Sequence, residues 1–218
     1  MEHKKFAFIS DFDGTLTHKD FYQMIIDEYL GEEGKELYKE WKRNKYKDKD
    51  FLHKVYSSIN RNEEEILEDI LRIEWDKNAD SVIQKIKEAG GDFIILSAGT
   101  SYYIDRLLKK KGLSDIKVYS NPGEYRDKGI HLNIDKESPY FSEVYGIDKS
   151  KVVADIKNNY PYVYYAGDSA PDIPPCKLAD TCFAKGKLQG MLQKEGVNFI
   201  PINDYRDIEK NLIEKGVL

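Results

Sequence analysis

Two acidic side chains near the start of the sequence follow directly after an apolar run. The run Phe6–Ser10 leads into Asp11 and Asp13, which are separated by one residue and are followed by Gly14 and Thr15. In an open parallel sheet, ligands bind just beyond the carboxyl ends of the strands. Because this acidic turn follows a predicted strand, it is a candidate for such a site.

Two later strand-like runs also end in small and polar residues. Residues 92–96 lead into Ser97, Ala98 and Gly99. Residues 162–166 lead into Gly167, Asp168, Ser169 and, three positions later, Asp172. The carboxyl ends of parallel strands meet at one edge of a sheet, so we expect these side chains to gather near the acidic turn.

Three carboxylates at one point, those of Asp11, Asp13 and Asp168, would repel one another unless a cation neutralised them. Oxygen ligands with few carboxylates suit Mg²⁺, which keeps several waters and shares its coordination shell with a phosphate group. The acids therefore predict a magnesium site.

A phosphate group would need its own contacts. Ser97, the backbone N–H groups of Ala98 and Gly99, and a lysine could hold the phosphate oxygens. Gly14 would let the backbone approach the phosphate without an intervening side chain. The three strand ends together therefore predict a site for a phosphate and a metal.

The segments between these motifs predict an α/β fold. Continuous apolar runs, typical of strands covered on both faces of a parallel sheet, occupy residues 6–10, 92–96, 116–119, 162–166, 181–184 and 198–201. Helical patterns lie between them at residues 80–89, 100–111, 149–159, 188–195 and 205–215. This alternation indicates right-handed strand–helix–strand units around a parallel sheet.

One interval departs from the alternation. Residues 17–76 show no strand pattern but four helical ones, at 20–30, 32–43, 49–58 and 63–73, the last with a capping-box-like start at Asn62 and Glu65. We therefore predict a helical cap at 17–76, inserted after the first strand of an α/β core formed by residues 1–16 and 77–218. Residues 121–147 of the core are predicted to form a small insertion with a hairpin that turns at Lys128 and Gly129.

The composition limits the possible partners. The chain has 218 residues, 40% hydrophobic and 33% charged, and a formal net charge of −5, which is typical of a globular protein and argues against nucleic acid as a partner. No apolar run reaches the ~20 residues that cross a bilayer, and we expect no signal peptide before the first strand. We expect a cytoplasmic protein without a membrane partner. Cys176 and Cys182 match no metal or redox spacing and are expected to be reduced thiols. No feature indicates the oligomeric state.

The ordered motifs are similar to those of a known family. Asp-Phe-Asp-Gly-Thr at residues 11–15, Ser97 at a strand end, a downstream lysine and Gly-Asp-Ser-x-x-Asp at residues 167–172 resemble the haloacid dehalogenase superfamily. The resemblance extends from the first strand through Asp180. It implies a Rossmann-like core, Mg²⁺ as the cofactor and a small phosphorylated metabolite as the substrate of a phosphomonoesterase.

This resemblance also implies a role for each matching residue. Asp11 would be the nucleophile and a metal ligand. Asp13 would act as general acid and base for the leaving group and for water, and Asp13 and Asp168 would complete the metal site. The other matches would support the site or contact the phosphate: Gly14, Thr15, Ser97, Ala98, Gly99, Ser169 and Asp172.

The lysine of the pattern has two candidates, Lys149 and Lys151, which both open a helical segment. A lysine at a helix N-terminus is unfavourable for the helix dipole, so we expect a functional reason for at least one of them. Lys149 is favoured because a similar phosphatase has its lysine three residues before an apolar pair. Asp172 would then orient this lysine or a metal-bound water.

The position of the cap resembles the phosphoserine-phosphatase-like branch of the superfamily. The Thr-x-x-Asp pattern that ends at Asp20 and the Ser-x-Gly-x-x-Tyr-Tyr pattern that begins at Ser97 are similar to the methionine-salvage phosphatases, which act on 2-hydroxy-3-keto-5-methylthiopentenyl 1-phosphate. Asp20 would face the leaving group, or would only cap a helix. Two features depart from the pattern: Ala98 stands where a glycine often follows the serine, and the cysteine-rich stretch of the methionine-salvage enzymes' insertion is absent here. Phosphoserine or another small metabolite is therefore the alternative substrate.

Other classes of protein use similar residues. A signalling receiver domain also has a phosphorylated Asp, but it is shorter and has adjacent acids on its first strand. A dehalogenase uses the same nucleophile on carbon without Mg²⁺, whereas Asp13, Gly14 and Thr15 favour phosphorus. A binding module without catalysis is the third alternative.

Overall fold

The computed structural model describes residues 5–218, so residues 1–4 of the predicted core lie outside the described part. The strands are β1 (Phe6–Ser10), β2 (Gly91–Thr100), β3 (Lys117–Asn121), β4 (Gly123–Arg126), β5 (Gly129–Leu132), β6 (Phe141–Ser142), β7 (Gly146–Ile147), β8 (Val163–Gly167), β9 (Thr181–Lys185) and β10 (Ile200–Ile202). The α-helices are α1 (Phe21–Ile25), α2 (Gly31–Lys42), α3 (Asp48–Ser57), α4 (Glu63–Leu71), α5 (Ala79–Glu88), α6 (Ser101–Lys111), α7 (Lys149–Lys157), α8 (Ile173–Leu178), α9 (Lys187–Lys194) and α10 (Tyr205–Glu214). None of the described helices is both long and apolar enough to span a membrane.

Six strands form one sheet in the order β10-β9-β8-β1-β2-β3. β1 pairs in parallel with β2 and β8, and β9 pairs in parallel with β8 and β10. β1 and β8 are buried along their whole length, as their unbroken apolar sequences predict for strands covered on both faces. The predicted α/β fold with a parallel sheet is therefore confirmed.

By its internal contacts the chain divides into two compact units. The first contains the described residues up to His18, Trp75–Leu96 and Lys149–Leu218. The second contains Lys19–Glu74 and Ser97–Asp148. Most of the predicted cap, residues 17–76, thus belongs to the second unit, which also includes a longer later stretch than the predicted insertion at 121–147.

The core of the first unit is built on aromatic side chains of the sheet. The Phe8 ring on β1 stacks with Phe93, Tyr164 and Phe183, with ring centroids 5.6, 6.1 and 5.9 Å away. All four side chains are buried, and each contributes about 1.5–3 kcal/mol when it is fully buried. This packing holds β1, β2, β8 and β9 together below their carboxyl ends.

The second unit combines α1–α4 and α6 with the short strands β4–β7. Its core is also aromatic, since the Phe21 ring lies 4.7 Å from the Tyr103 ring and 5.8 Å from the Tyr56 ring. α4 begins with the predicted capping box, in which Asn62 Oδ1 accepts from the Glu65 N–H and Glu65 Oε2 accepts from the Asn62 N–H. The box satisfies two N–H groups that the first turn of a helix leaves open.

The predicted hairpin is present but turns one residue earlier than expected. β4 and β5 pair antiparallel with Arg126 opposite Gly129, so the turn residues are Asp127 and Lys128. Both have positive φ, 49° and 62°, as the favoured two-residue hairpin turn requires. A second short hairpin, β6–β7, was not predicted, because strands of two residues show no alternation in the sequence.

The two cysteines are joined. Cys176 on α8 and Cys182 on β9 form a disulfide with Cα atoms 5.2 Å apart, so the expectation of reduced thiols is wrong. Both residues are buried. The spacing of the two cysteines in the sequence did not predict the disulfide, because the pairing depends on how α8 packs against β9.

Candidate active site

The acidic turn follows β1 as one wide turn, Phe12–Leu16, whose backbone is not helical at Asp13 and Gly14. It is anchored to the neighbouring strand β8, where the Asp11 N–H donates to Ala166 O at 2.8 Å. Gly14 has a φ of +78°, a conformation that strains any residue with a Cβ. A Cβ at Gly14 would also lie 2.5 Å from Asp168 Oδ2, so the glycine lets this carboxylate lie against the turn.

Lys149, the first residue of α7, is only 4% exposed. Its Nζ donates to Asp11 Oδ1 and to Asp172 Oδ1, both at 2.6 Å. Lys151 is exposed, since two residues along a helix lie roughly 200° apart around its axis. Of the two lysines that the sequence left open, the structure places Lys149 against the acidic turn.

Asp172 is fully buried, and each of its oxygens has two donors. Its Oδ1 accepts from Lys149 Nζ and, at 2.6 Å, from the Tyr165 hydroxyl. Its Oδ2 accepts from the N–H groups of Asp168 at 3.0 Å and Ser169 at 3.1 Å. A Cβ at Gly167 would lie 2.5 Å from Asp172 Cγ, so this glycine makes room for the carboxylate. Asp172 therefore fixes both Lys149 and the backbone that follows β8.

Asp168 follows β8 directly, and its backbone is held from a second side. Its carbonyl accepts from the Leu188 N–H of α9 at 2.9 Å. Carboxylate oxygens of Asp11, Asp168 and Asp172 all lie within 4.8 Å of one another. The sequence predicted Asp13 as the third carboxylate of the metal site. Among the described residues, the third carboxylate of this group is that of Asp172.

The electrostatics of the cluster follow from its burial. Burial raises the pKa of the Asp11 carboxyl well above its ordinary value of 3.8; Lys149 lowers this pKa, whereas Asp172 and Asp168 raise it further. Burial lowers the pKa of Lys149, but the carboxylates of Asp11 and Asp172 outweigh it and raise the pKa above its usual range. Lys149 therefore stays protonated, and additional positive charge would favour the ionised form of Asp11.

The residues present fit a magnesium ion. The cluster contains the carboxylates of Asp11, Asp168 and Asp172 and the ammonium of Lys149. When all four groups are ionised, their net charge is −2. The donors are oxygens, which Mg²⁺ prefers. Each oxygen of Asp172 already accepts from two protein donors, whereas each oxygen of Asp11 accepts from one. Asp11 and Asp168 are therefore the carboxylates that would bind the ion.

The other predicted residues of the turn have different surroundings. Thr15 is buried, and its hydroxyl donates to Asp11 Oδ2 over a long distance of 3.4 Å. Asp13 has an extended backbone, with φ −70° and ψ 128°, within the turn and is half-buried. Its roles as proton-transfer group and as metal ligand stay predictions.

Three predicted phosphate contacts and Asp20 belong to the second unit. There the buried Ser97 Oγ accepts from the Gly99 N–H at 3.0 Å, and Ala98 O accepts from the Asn121 amide at 2.8 Å. Asp20 precedes α1 as its N-cap residue, and its Oδ2 accepts from the Gln23 amide at 3.0 Å. The roles of these residues toward a phosphate or a leaving group stay predictions.

Sequence reasoning missed Asp76 and Tyr205, which support the turn together with Ser10. The Ser10 hydroxyl donates to Asp11 O at 2.6 Å and lies 2.5 Å from the hydroxyl of Tyr205, at the start of α10. Asp76, only 1% exposed, accepts from the Tyr205 N–H at 3.1 Å, and its own N–H donates to Leu16 O at 2.8 Å. The local sequence did not reveal either role, because an Asp before a helix is typical of an N-cap and a Tyr is typical of a hydrophobic core.

Known proteins share this arrangement of the chain. A family model described as haloacid dehalogenase-like hydrolase matches residues 8–175. The 2-hydroxy-3-keto-5-methylthiopentenyl-1-phosphate phosphatase of Bacillus cereus (strain ATCC 10987 / NRS 248) is 22% identical over 205 residues, 93% of each chain. A phospho-aspartyl intermediate analogue of phosphoserine phosphatase has a TM-score of 0.70 at 24% identity, covering 95% of this chain and 99% of its own. A substrate-bound phosphoserine phosphatase has a TM-score of 0.69 at 21% identity, covering 96% and 99%.

Fold and site together define a class: a parallel α/β protein with acids and a buried lysine at the carboxyl ends of two central strands. The chain belongs to the haloacid dehalogenase-like hydrolases, because their model matches most of its length. The resemblance drawn from the motifs is thus confirmed. This membership sets aside the receiver domain as an alternative.

Proposed function

We propose that the chain is a magnesium-dependent phosphomonoesterase that hydrolyses a small phosphorylated metabolite through an aspartyl-phosphate. The observation that supports this most is the buried cluster in which Lys149 bridges Asp11 and Asp172 beside Asp168. It combines a carboxylate nucleophile, a fixed ammonium and oxygen ligands for a divalent cation. The phosphatase names of the relatives support the same reaction.

In the first half of the reaction, an Asp11 carboxylate oxygen attacks phosphorus. The bond between phosphorus and the ester oxygen breaks, and the departing alkoxide takes a proton from Asp13. Covalent catalysis of this kind divides one difficult displacement into two easier ones. Lys149 holds the carboxylate of Asp11 through the 2.6 Å contact to Oδ1 and brings positive charge to the transferring oxygens.

In the second half, Asp13 takes a proton from a water molecule, and the water oxygen attacks phosphorus. The bond to Asp11 breaks, which releases inorganic phosphate and restores both carboxyl groups to their starting states. Bound at Asp11 and Asp168, Mg²⁺ would supply positive charge that offsets the repulsion between the phosphate and the acidic cluster.

For the substrate we propose the methionine-salvage intermediate, 2-hydroxy-3-keto-5-methylthiopentenyl 1-phosphate, with phosphoserine as the alternative. The former is supported by the name of the B. cereus relative, which aligns over 93% of both chains. The latter is supported by the names of the two phosphoserine phosphatase structures. A phosphate-release screen with both compounds, pyridoxal phosphate and other small phosphomonoesters, compared by kcat/KM, would decide between them.

The reaction class is tested with Asp11→Asn and p-nitrophenyl phosphate. We expect the wild type to release phosphate with Mg²⁺ and to lose this activity in EDTA. The Asp11→Asn variant should remain folded and be inactive, because an amide cannot form the aspartyl-phosphate. Asp27→Asn, at an exposed position of the second unit, is the control and should keep full activity.

Two results would contradict the proposal. Activity of a folded Asp11→Asn protein would exclude Asp11 as the nucleophile. Wild-type turnover that is unaffected by EDTA would exclude the metal, and release of halide from a haloacid under those conditions would favour the dehalogenase alternative.

A further inference from the structure

Lys185 is a second lysine at the carboxyl edge of the sheet. It is the last residue of β9, and the register of β8 with β9 pairs Gly167 with Ala184, so Lys185 lies level with Asp168. The residue is half-buried. No motif or proposed catalytic step accounts for it.

The side chain of Lys185 links strands that are not neighbours. Its Nζ donates to the carbonyl oxygen of Thr15 at 3.2 Å, in the turn that follows β1. β8 separates β9 from β1 in the sheet, so the lysine spans the end of β8, over two strand spacings of about 4.8 Å each. A contact of this length needs a long side chain with a donor at its end, which lysine or arginine provides.

The carbonyl that Lys185 binds belongs to the part of the turn that positions the nucleophile. The Thr15 hydroxyl donates to Asp11 Oδ2, and Gly14, one residue earlier, lies against the Asp168 carboxylate. The end of the turn is held separately, by the Asp76 N–H on Leu16 O at 2.8 Å. Lys185 therefore fixes the segment between the nucleophile and that anchor.

Burial lowers the pKa of the Lys185 ammonium, whereas the carboxylates of Asp76, Asp168, Asp204 and Asp11 act in the opposite direction and favour its charged form. Lys149 approaches Asp11 from α7, so the ammonium groups of two elements counter the negative charge of the same acidic turn. A neutral side chain at 185 would leave these acids to repel one another more strongly.

We propose that Lys185 is a positioning residue for the nucleophile, acting through the Thr15 peptide and the turn rather than through contact with the reacting atoms. This role rests on the proposed phosphatase function. Without Lys185 the turn keeps its anchor at Leu16 but loses the one that fixes Thr15. The Asp11 carboxylate then departs more often from the geometry needed for attack, which lowers kcat more than it raises KM.

The test compares Lys185→Met, Lys185→Arg and Lys187→Met in steady-state hydrolysis of p-nitrophenyl phosphate with saturating Mg²⁺. We expect Lys185→Met to lower kcat at least roughly tenfold with KM within about twofold of the wild type. Lys185→Arg keeps the charge and a donor and should restore most of kcat. Lys187, two residues further on, is the exposed first residue of α9, so Lys187→Met should behave like the wild type. Thermal midpoints measured alongside report on folding.

Each other outcome has a defined meaning. An active wild type and an equally active, folded Lys185→Met protein would overturn the positioning role alone. A kcat that falls only in proportion to the folded fraction, without recovery in Lys185→Arg, would also overturn it, since that is a purely structural effect. Should Lys185→Met not fold, Lys185→Gln replaces it under the same criteria. A wild type inactive on every phosphomonoester of the screen overturns the proposed function, and this role with it.

Discussion

Replacing Lys149 by methionine removes the ammonium at the centre of the cluster while keeping a side chain of similar length. Removal of one partner from a buried ion pair costs about 3–5 kcal/mol. Asp172 would keep three donors, the Tyr165 hydroxyl and the N–H groups of Asp168 and Ser169, so the loss falls mainly on Asp11. We therefore expect the low end of that range, about 3 kcal/mol.

For a chain of 218 residues, each kcal/mol lowers the Tm by roughly 2–4 °C, so the Lys149→Met variant should unfold roughly 6–12 °C below the wild type. Its kcat should fall by about 100-fold or more, because a fixed positive charge next to the transferring phosphoryl group is lost. The deficit in Tm should shrink as the pH falls, since the Asp11 carboxyl, whose pKa burial has raised, is then protonated and no longer needs the ammonium.

The measurement is thermal unfolding followed by circular dichroism in EDTA at several pH values, with activity assayed in Mg²⁺. Lys151→Met is the matched control on the same helix, where the lysine is exposed, and should unfold with the wild type. If Lys149→Met unfolds within about 2 °C of that control and retains its activity, less than ~1 kcal/mol depends on the contact and the buried ion pair is not what organises the site.

Two further predictions concern the acids of the cluster. The pKa of Asp11 is raised on folding, so its contribution to stability is fully present at pH values below its ordinary pKa of 3.8 and is lost as the pH rises through the raised pKa. The free energy of unfolding in EDTA should thus fall with rising pH more in the wild type than in Asp11→Asn, and Mg²⁺ should remove the difference. The free energies are measured by urea unfolding at several pH values. The same dependence on pH in both proteins in EDTA would contradict this. Gly14→Ala should weaken Mg²⁺ binding by roughly tenfold or more, because its Cβ would displace Asp168, which lies 2.5 Å away. Gly196→Ala, at a similar φ of +66° in open space, is the control for backbone strain alone, and equal Mg²⁺ affinities of the two variants by calorimetry would refute the steric argument.

Local patterns predicted the elements of this protein well. The unbroken apolar run of β1 and the capping box at Asn62 both depend on residues close in sequence. The acids at positions 11 and 168 were also found locally, because a polar turn at the end of a buried strand is visible without knowing the strand order. These features follow from periodicity and turn chemistry, which act over a few residues.

Contacts between distant segments could not be predicted in the same way. The sequence favoured Lys149 over Lys151 only through a resemblance, and the tertiary packing of α7 decided which of them is buried. The disulfide between Cys176 and Cys182 and the contact of Lys185 with Thr15 depend on which strands are neighbours.

The sequence by itself determined which strands end in chemically useful residues. The tertiary structure decided which of those residues meet, grouping Asp172 with Asp11 and Asp168 and adding Tyr165, Asp76 and Tyr205 as supports. The physical reason is that a buried charge is stable only beside partners brought by other segments. Those partners are fixed by strand order and helix packing, which no local pattern records.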